Sequence, residues 1–302
     1  MIGRAKMVRN RLRERNRMRA IWALLVGLLA VSPAIADDHT LALRKFHPWG
    51  RFHVGSWNQV RIVTETLDAQ GQVSDSTVTE VRTVLSERAL DSYSLKINAT
   101  LQIAGKRFAR PPQTLRLGYV GEKVGERLRT RAIERANLHI DGRNIAVDAQ
   151  QVEVQGAGQK LVTTVRFAER VAPFVFERIT TQTDLDDPTN RVESKMAVVA
   201  LEMPHKVGGA LHRTAHTRQV ERTPQGETTA FSVISPEVPG EVVYQTSQKL
   251  DSEGRVLHRS TLELVSYYVA PAPAPAIEPL TEPFMDRRAA RRYHKRAKQD
   301  RR

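Results

Sequence analysis

Residues 93–103 constrain this chain more than any other stretch. Tyr93, Leu95, Ile97, Ala99, Leu101 and Ile103 alternate with Ser94, Lys96, Asn98, Thr100 and Gln102. Successive side chains of an extended strand point to opposite faces, so period two over eleven residues predicts a half-buried strand with one wet face. The alternation recurs at Val60-Ile62-Thr64, at Leu161-Thr163-Val165-Phe167 and around Thr229-Phe231-Val233. It returns as Leu262-Leu264 against Glu263, ending in Tyr267-Tyr268-Val269.

Turn chemistry punctuates these runs. Asp141-Gly142 between Leu138/Ile140 and Ile145/Val147 is a hairpin cue. Leu67-Asp68-Ala69-Gln70-Gly71-Gln72-Val73 and Leu250-Asp251-Ser252-Glu253-Gly254-Arg255-Val256 share one pattern, L-D-x-x-G-x-V. A third copy, from Leu185-Asp186 to Val192, is one residue longer and has Asn190 in place of Gly. Asp starts such a turn by bonding forward to backbone N–H groups; Gly or Asn then takes the left-handed conformation, and the chain returns antiparallel. Thr-rich residues precede each copy and suit a strand face open to water. Irregular spacing makes these recurring hairpins of a meander, not a solenoid. Residues 121–136 allow two readings. Leu128-Thr130-Ala132 alternate as in a strand, while the Glu/Arg-rich composition suits a short helix. The expected fold is mainly β: an antiparallel meander forming a strongly curved sheet, an open barrel or two packed sheets, with little helix.

A net charge of +14 over 302 residues suggests a nucleic-acid binder until its placement is considered. Residues 1–20 carry +7 and residues 285–302 another +7, which is the whole excess. The body between them is balanced, so specific nucleic-acid recognition by the body is not expected. The N-terminus has a signal-sequence pattern: a basic run from Arg4 to Arg19, an apolar run from Ile21 to Val31, and Ala34-Ile35-Ala36 before Asp37-Asp38. Cleavage there leaves 37–269 as a β-rich exported body, one large unit or two similar halves. The minor reading is an uncleaved signal-anchor, with the folded part outside in either case. The destination is then periplasm, cell envelope or medium. Residues 270–283 begin with Ala270-Pro271-Ala272-Pro273-Ala274-Pro275 and predict a semi-rigid polyproline II spacer. Beyond it, in 284–302, Arg287, Arg288, Arg291, Arg292, Lys295, Arg296, Lys298, Arg301 and Arg302 form a cationic run without an apolar face. It is either a solvated disordered tail or an electrostatic tether to an anionic polymer or membrane surface.

The chain has no cysteine. Disulfides, thiol nucleophiles, cysteine zinc sites, iron–sulfur clusters and an acylated N-terminal cysteine are thereby excluded. The core alone must stabilise the body.

Phe46-His47-Pro48-Trp49-Gly50-Arg51-Phe52-His53-Val54-Gly55-Ser56-Trp57, with Val60 through Asp68, resembles an uncharacterised family of exported planctomycete-type bacterial proteins. Ala104-Gly105-Lys106-Arg107-Phe108, Val238-Pro239-Gly240 and Ser260 through Val265 extend the resemblance over most of 46–269. It implies a fold and no activity. The order of strand, Asp-Gly turn, strand, then Phe167 through Val171-Ala172-Pro173-Phe174 is also similar in pattern to lipoprotein-localisation-type periplasmic carriers, whose half-open barrel shields an apolar ligand.

Trp49, Phe52 and Trp57, with Phe46, have two readings: a stacking platform for sugar rings or lipid chains, or a plug packed on the start of the sheet. The general burial of aromatics favours the plug. His212 and His216, with His205 nearby, are spaced to share a face, but no H-E-x-x-H pattern is present and no carboxylate partner is evident, so no metal is expected. Asp184, Asp186, Asp187 and Asn190 hint at a calcium loop, but Thr189 and Lys195 stand where glycine and a bidentate acid belong. No G-x-S-x-G or S-x-x-K motif occurs, and Gly156-Ala157-Gly158 is half a dinucleotide fingerprint. Neither catalytic residues nor a cofactor are expected. The expected function is a non-enzymatic binding or structural role in the envelope, with an apolar ligand held in the curved sheet. The alternatives are an extracellular hydrolase acting on a polymer and an adaptor tethered by its tail.

Overall fold

The computed structural model describes residues 44–272, apart from 121, 123–125, 157 and 208 and the side chain of 127. The signal segment, most of the Pro/Ala spacer and the basic tail lie outside the described residues.

One antiparallel sheet organises the body. Its first strands are β1 (Trp57–Leu67), β2 (Val73–Arg88), β3 (Ser92–Ile103), β4 (Lys106–Ala109) and β5 (Gln113–Gly118). Next come β6 (Arg127–Ile140), β7 (Arg143–Gly156), β8 (Gln159–Phe167), β9 (Val175–Asp184) and β10 (Arg191–Val207). The last are β11 (Ala210–Thr223), β12 (Gly226–Ile234), β13 (Val242–Asp251) and β14 (Val256–Tyr268). Their order across the sheet is β4-β3-β2-β1-β14-β13-β12-β11-β10-β9-β8-β7-β6, with β5 pairing β3 further along the same edge. Neighbours are joined by hairpins except at β1–β14, where the two ends of the body meet, and at β3–β5.

This order forces curvature. Twelve inter-strand steps separate the β4/β5 edge from β6, roughly 58 Å in a flat sheet at about 4.8 Å per step. Yet β5 and β6 are consecutive in the chain, and the nine Cα-to-Cα steps from Gly118 to Arg127 reach at most about 32 Å. The sheet must therefore roll up. In the rolled second half, Ile140 of β6 and Ile145 and Val147 of β7 pack with Val198 and Leu201 of β10, Ala215 of β11 and Ile234 of β12. Arg143 bridges from β7 to Glu202 at 3.0 Å. Closure is never completed, because β7 is the one strand partner of β6 among the described residues. Val120, in the segment that crosses the gap, packs on Val152 and Val154.

Local signals produce these elements as expected at several points. In β3, Tyr93, Leu95, Ile97, Ala99 and Leu101 are buried, while Ile103 at the end of the strand is exposed, contrary to the alternation. The Asp141-Gly142 turn has positive φ at both residues, 52° and 74°, as a two-residue type I′ hairpin requires. The two glycine copies of the repeated turn are superposable in their bonding. Asp68 Oδ1 accepts from the N–H groups of Gln70 and Gln72, and Asp251 Oδ1 from those of Glu253 and Arg255. Gly71 and Gly254 take φ of 76° and 81°.

Three expectations are corrected or resolved. The third turn does not use its Asn as a glycine substitute, since Asn190 is absent from the left-handed residues. Asp184 and Asp187 make its backbone bonds instead, the extra residue having shifted the frame. Within β12 the faces are reversed: Ala230 is buried while Phe231 is 52% exposed beneath the Arg218 guanidinium. Large apolar size at 231 suggested the inward face, but the register with β11 and β13 puts the small residue there. The ambiguous stretch 121–136 becomes strand from Arg127 on, because β7 offers a paired edge that an isolated Glu/Arg-rich helix would lack.

A candidate binding site beneath the N-terminal plug

Residues 44–56, helical only at 44–46, precede β1 and pack on the rolled sheet. The local sequence makes a compact wedge. The His47 Nδ1 accepts hydrogen bonds from the N–H groups of Trp49 and Gly50, both at 3.1 Å, turning the chain sharply. That frees Phe46, Trp49 and Phe52 to point inward. Trp49 is 3% and Phe52 6% exposed, within the core of Val60, Ile62, Val81, Leu85 and Tyr93. Phe46 lies against Phe167 and Phe174, both at 5.6 Å between ring centroids. The wedge thus touches both halves of the sheet. Trp57 stands apart at the start of β1, half-buried under the Arg82 guanidinium at 4.0 Å. Few backbone bonds hold the wedge: Gly55 N–H to Leu85 O, Leu85 N–H to Ser56 O and Gly240 N–H to Pro48 O. Arg88 adds a bond to Phe52 O at 2.7 Å.

A polar group lies under this plug. The His47 ring meets Tyr93 at 4.7 Å and Tyr119 at 5.4 Å, and the two tyrosines stack at 5.5 Å. Burial, then the charges of Arg178 and Arg51, lower the His47 pKa to about 3. With Nδ1 an acceptor, its proton sits on Nε2. Arg51 pairs with Glu241 at 2.5 Å, their side chains 14% and 15% exposed. Arg51 is also flanked by the Phe52 and Phe174 rings, at 5.3 and 5.7 Å. Glu241 belongs to the loop 235–241 and holds a left-handed φ of 63°. Arg178, half-buried on β9, shares its face with buried Phe176 and acts electrostatically on Glu241, Tyr93 and His47. Burial pushes the Glu241 carboxyl up and the Arg178 guanidinium down, so each resists charging except by leaning on the other. One guanidinium thus pairs with the Glu241 carboxylate and a second acts on it through its charge. Arg51 Nε and Nη1 are buried with no hydrogen-bond partner.

The histidine group is organised differently from expectation. His205 and His212 face each other across β10 and β11, while His216 pairs with Ala200 further along. His212 does have a carboxylate partner: its Nδ1 lies 2.6 Å from Glu237 Oε2, and its Nε2 lies 3.4 Å from the Tyr267 hydroxyl. The loop between β12 and β13 supplies Glu237, 25 residues away in sequence, a proximity that pattern reading had no means to find. Burial pushes the Tyr267 hydroxyl pKa up, away from an activated phenolate. Among the described residues no group of three or more His, Cys, Asp or Glu side chains is gathered for a metal ion. The Asp184 and Asp187 carboxylates are spent on turn N–H groups and on the Thr189 hydroxyl. No helix among the described residues is long and apolar enough to cross a membrane.

No protein-family model matches the chain, and no curated protein matches it. The resemblance to a planctomycete-type exported family therefore finds no support there. Two solved structures are similar in trace. One is a candidate lipoprotein of Parabacteroides distasonis, 10% identical, covering 74% of this chain and 98% of that one, with a TM-score of 0.30. The other is a candidate exported protein with a YmcC-like fold from Bacteroides fragilis, 10% identical, covering 72% and 99%, with a TM-score of 0.28. A likeness this loose carries no argument about function, which rests on the chain's own residues.

Proposed function

We propose that this is an exported, non-enzymatic envelope protein that holds an apolar or amphiphilic ligand inside its rolled sheet, at the place the N-terminal plug occupies. One observation carries the reading: the sheet curls without closing, and the aromatic side chains of residues 44–56 pack against both of its halves while few backbone hydrogen bonds hold that segment in place. Packing of that kind is exchangeable in a way that a closed hydrogen-bond ladder is not. Burying three aromatic side chains contributes about 5–9 kcal/mol, and each buried methylene about 0.8 kcal/mol. A chain of about ten carbons then matches the plug. Export rests on the basic, apolar and small-residue pattern of the first 36 residues, and the cationic tail serves as a tether to an anionic surface.

The test is chain length. Neutral alkyl maltosides of twelve carbons are expected to red-shift and quench Trp49 fluorescence in the mature protein, those of six carbons to leave it unchanged, and Trp49→Phe to abolish most of the signal. Equal response to both lengths, or to neither, together with ligand-free protein in native mass spectra of material taken from its own envelope, would remove the proposal. A hydrolytic reading has the His212–Glu237 pair in its favour. The hydroxyl it faces is a tyrosine whose pKa is raised, which argues against a nucleophile there.

A further inference from the structure

Beneath the plug the charges do not balance. Arg51 on the wedge pairs with the Glu241 carboxylate at 2.5 Å, and Arg178 on β9, far away in the chain, acts on the same carboxylate through its charge without an ion-pair contact. Two nitrogens of Arg51, Nε and Nη1, carrying three N–H donors between them, are buried without an acceptor. A guanidinium offers five donors in a fixed fork, and burying it with donors unmet is costly, so folded proteins seldom keep such an arrangement unless an acceptor arrives. Among the described residues Glu241 is the one carboxylate paired with Arg51. Glu177, the residue before Arg178, points to the other face, where Arg166 and Lys195 occupy it. His47 is held neutral, its Nδ1 already an acceptor for two backbone N–H groups. Tyr93 resists ionisation, its pKa raised chiefly by burial. Glu241 itself holds a left-handed backbone conformation while presenting its carboxylate to Arg51. Non-glycine residues occupy that region at some cost in strain, and such residues gather at ligand clamps.

We propose that Arg51 and Arg178 form the head-group site of the rolled sheet, taking the oxyanion of an amphiphile whose apolar chain displaces the plug aromatics. Glu241 is the internal stand-in that occupies the pair in the empty protein. The inference rests on the reading of the rolled sheet as a ligand holder and adds to it the class of ligand: single-chain anionic amphiphiles, with a carboxylate or phosphate head. The phenyl rings of Phe52 and Phe174, 5.3 and 5.7 Å from the Arg51 guanidinium, help keep the fork oriented and dry, conditions under which charge-assisted bonds to an oxyanion are strongest.

The experiment compares dodecanoate, dodecyl phosphate and dodecanol on the full mature protein and on Arg178→Gln, by calorimetry below the micelle threshold. In the unaltered protein the two anions are expected to bind at least tenfold tighter than dodecanol. Arg178→Gln is expected to lose that preference tenfold or more while binding dodecanol as before. Its unliganded unfolding midpoint should be unchanged, since among the described residues Arg178 makes no ion pair or hydrogen bond that the substitution would break; a purely structural arginine would lower it. Arg51→Lys, which keeps the charge but loses the fork, should weaken both anions without changing dodecanol. Whichever of carboxylate and phosphate binds tighter identifies the head group, and either result upholds the arginine site. Equal binding of anions and alcohol by the unaltered protein overturns the head-group site while leaving the ligand-holding sheet intact. Binding of none of the three overturns both.

Discussion

The imidazole of His47 shows how one residue ties backbone geometry to electrostatics. Its Nδ1 must stay unprotonated to accept from Trp49 and Gly50, and the guanidiniums of Arg178 and Arg51 oppose a proton there. An unfolded chain takes that proton near pH 6.5, whereas the folded protein refuses it down to about 3. Acidification through this window therefore favours the unfolded state, and this site's contribution, roughly 3–5 kcal/mol, is present above pH 6.5 and lost as pH falls toward 3. Nitrogen-15 shifts of His47 should show a neutral ring down to pH 4; a titration near 6.5 in the folded protein would contradict the placement. A second single-residue test lies opposite Trp49. Gly240 takes φ of 81°, and a Cβ there would stand 2.7 Å from Asn58 Nδ2 and 3.1 Å from Trp49 Cζ2. Gly240→Ala should cost about 2–4 kcal/mol in denaturant unfolding, combining backbone strain with overpacking of the plug.

Among the elements, the hairpins differ in how well their turn residues suit them. The β3–β4 turn, Ala104-Gly105, has φ of 47° and 77°, the same left-handed pair as Asp141-Gly142. Alanine gains nothing from that conformation, while asparagine tolerates it well. Ala104→Asn should raise stability by about 0.5–1 kcal/mol, with the β3–β4 register of Ile103 against Lys106 unchanged; a loss of stability would place the turn in another class. The elements also show what was legible beforehand. Strict alternation in β3 and the aspartate-glycine turns were readable because each depends on contacts a few residues apart. The strand nature of 127–140 was not, since its partner strand β7 decides between two conformations that the local sequence serves equally. Nor was the outward face of Phe231, which register sets from both neighbouring strands.

At the scale of the whole molecule, the gap between β5 and β6 is where the sheet would have closed, and an irregular segment crosses it. Glu122 in that crossing accepts from Val120 N–H and covers Gly118 so closely that a Cβ on the glycine would overlap its carboxylate. Burial, with Asp91 and Glu126 nearby, raises its pKa to about 7. Between pH 4.5 and 7 the folded protein keeps a proton that the unfolded chain gives up, so this site's contribution is favourable below pH 4.5 and is lost as pH rises through 7. The loss amounts to about 1 kcal/mol after allowance for partial exposure. Glu122→Gln should flatten that part of the stability profile and speed nothing below pH 4.5; hydrogen exchange across the crossing reads the same effect locally. Because this trend opposes that of His47, the single substitutions separate the two.

The amino-acid order alone determined that the body is a meander of amphipathic strands, where its aspartate turns fall, that thiol chemistry is absent, and that its excess charge sits at its two ends. Those properties follow from neighbours along the chain, whose geometry a few dihedral angles settle. Tertiary structure decided that the sheet rolls without closing, that residues 44–56 pack against both of its halves, and that Arg51 meets a carboxylate 190 positions away with Arg178 alongside. Such meetings depend on the sum of many strand twists and registers, and no local pattern carries that sum.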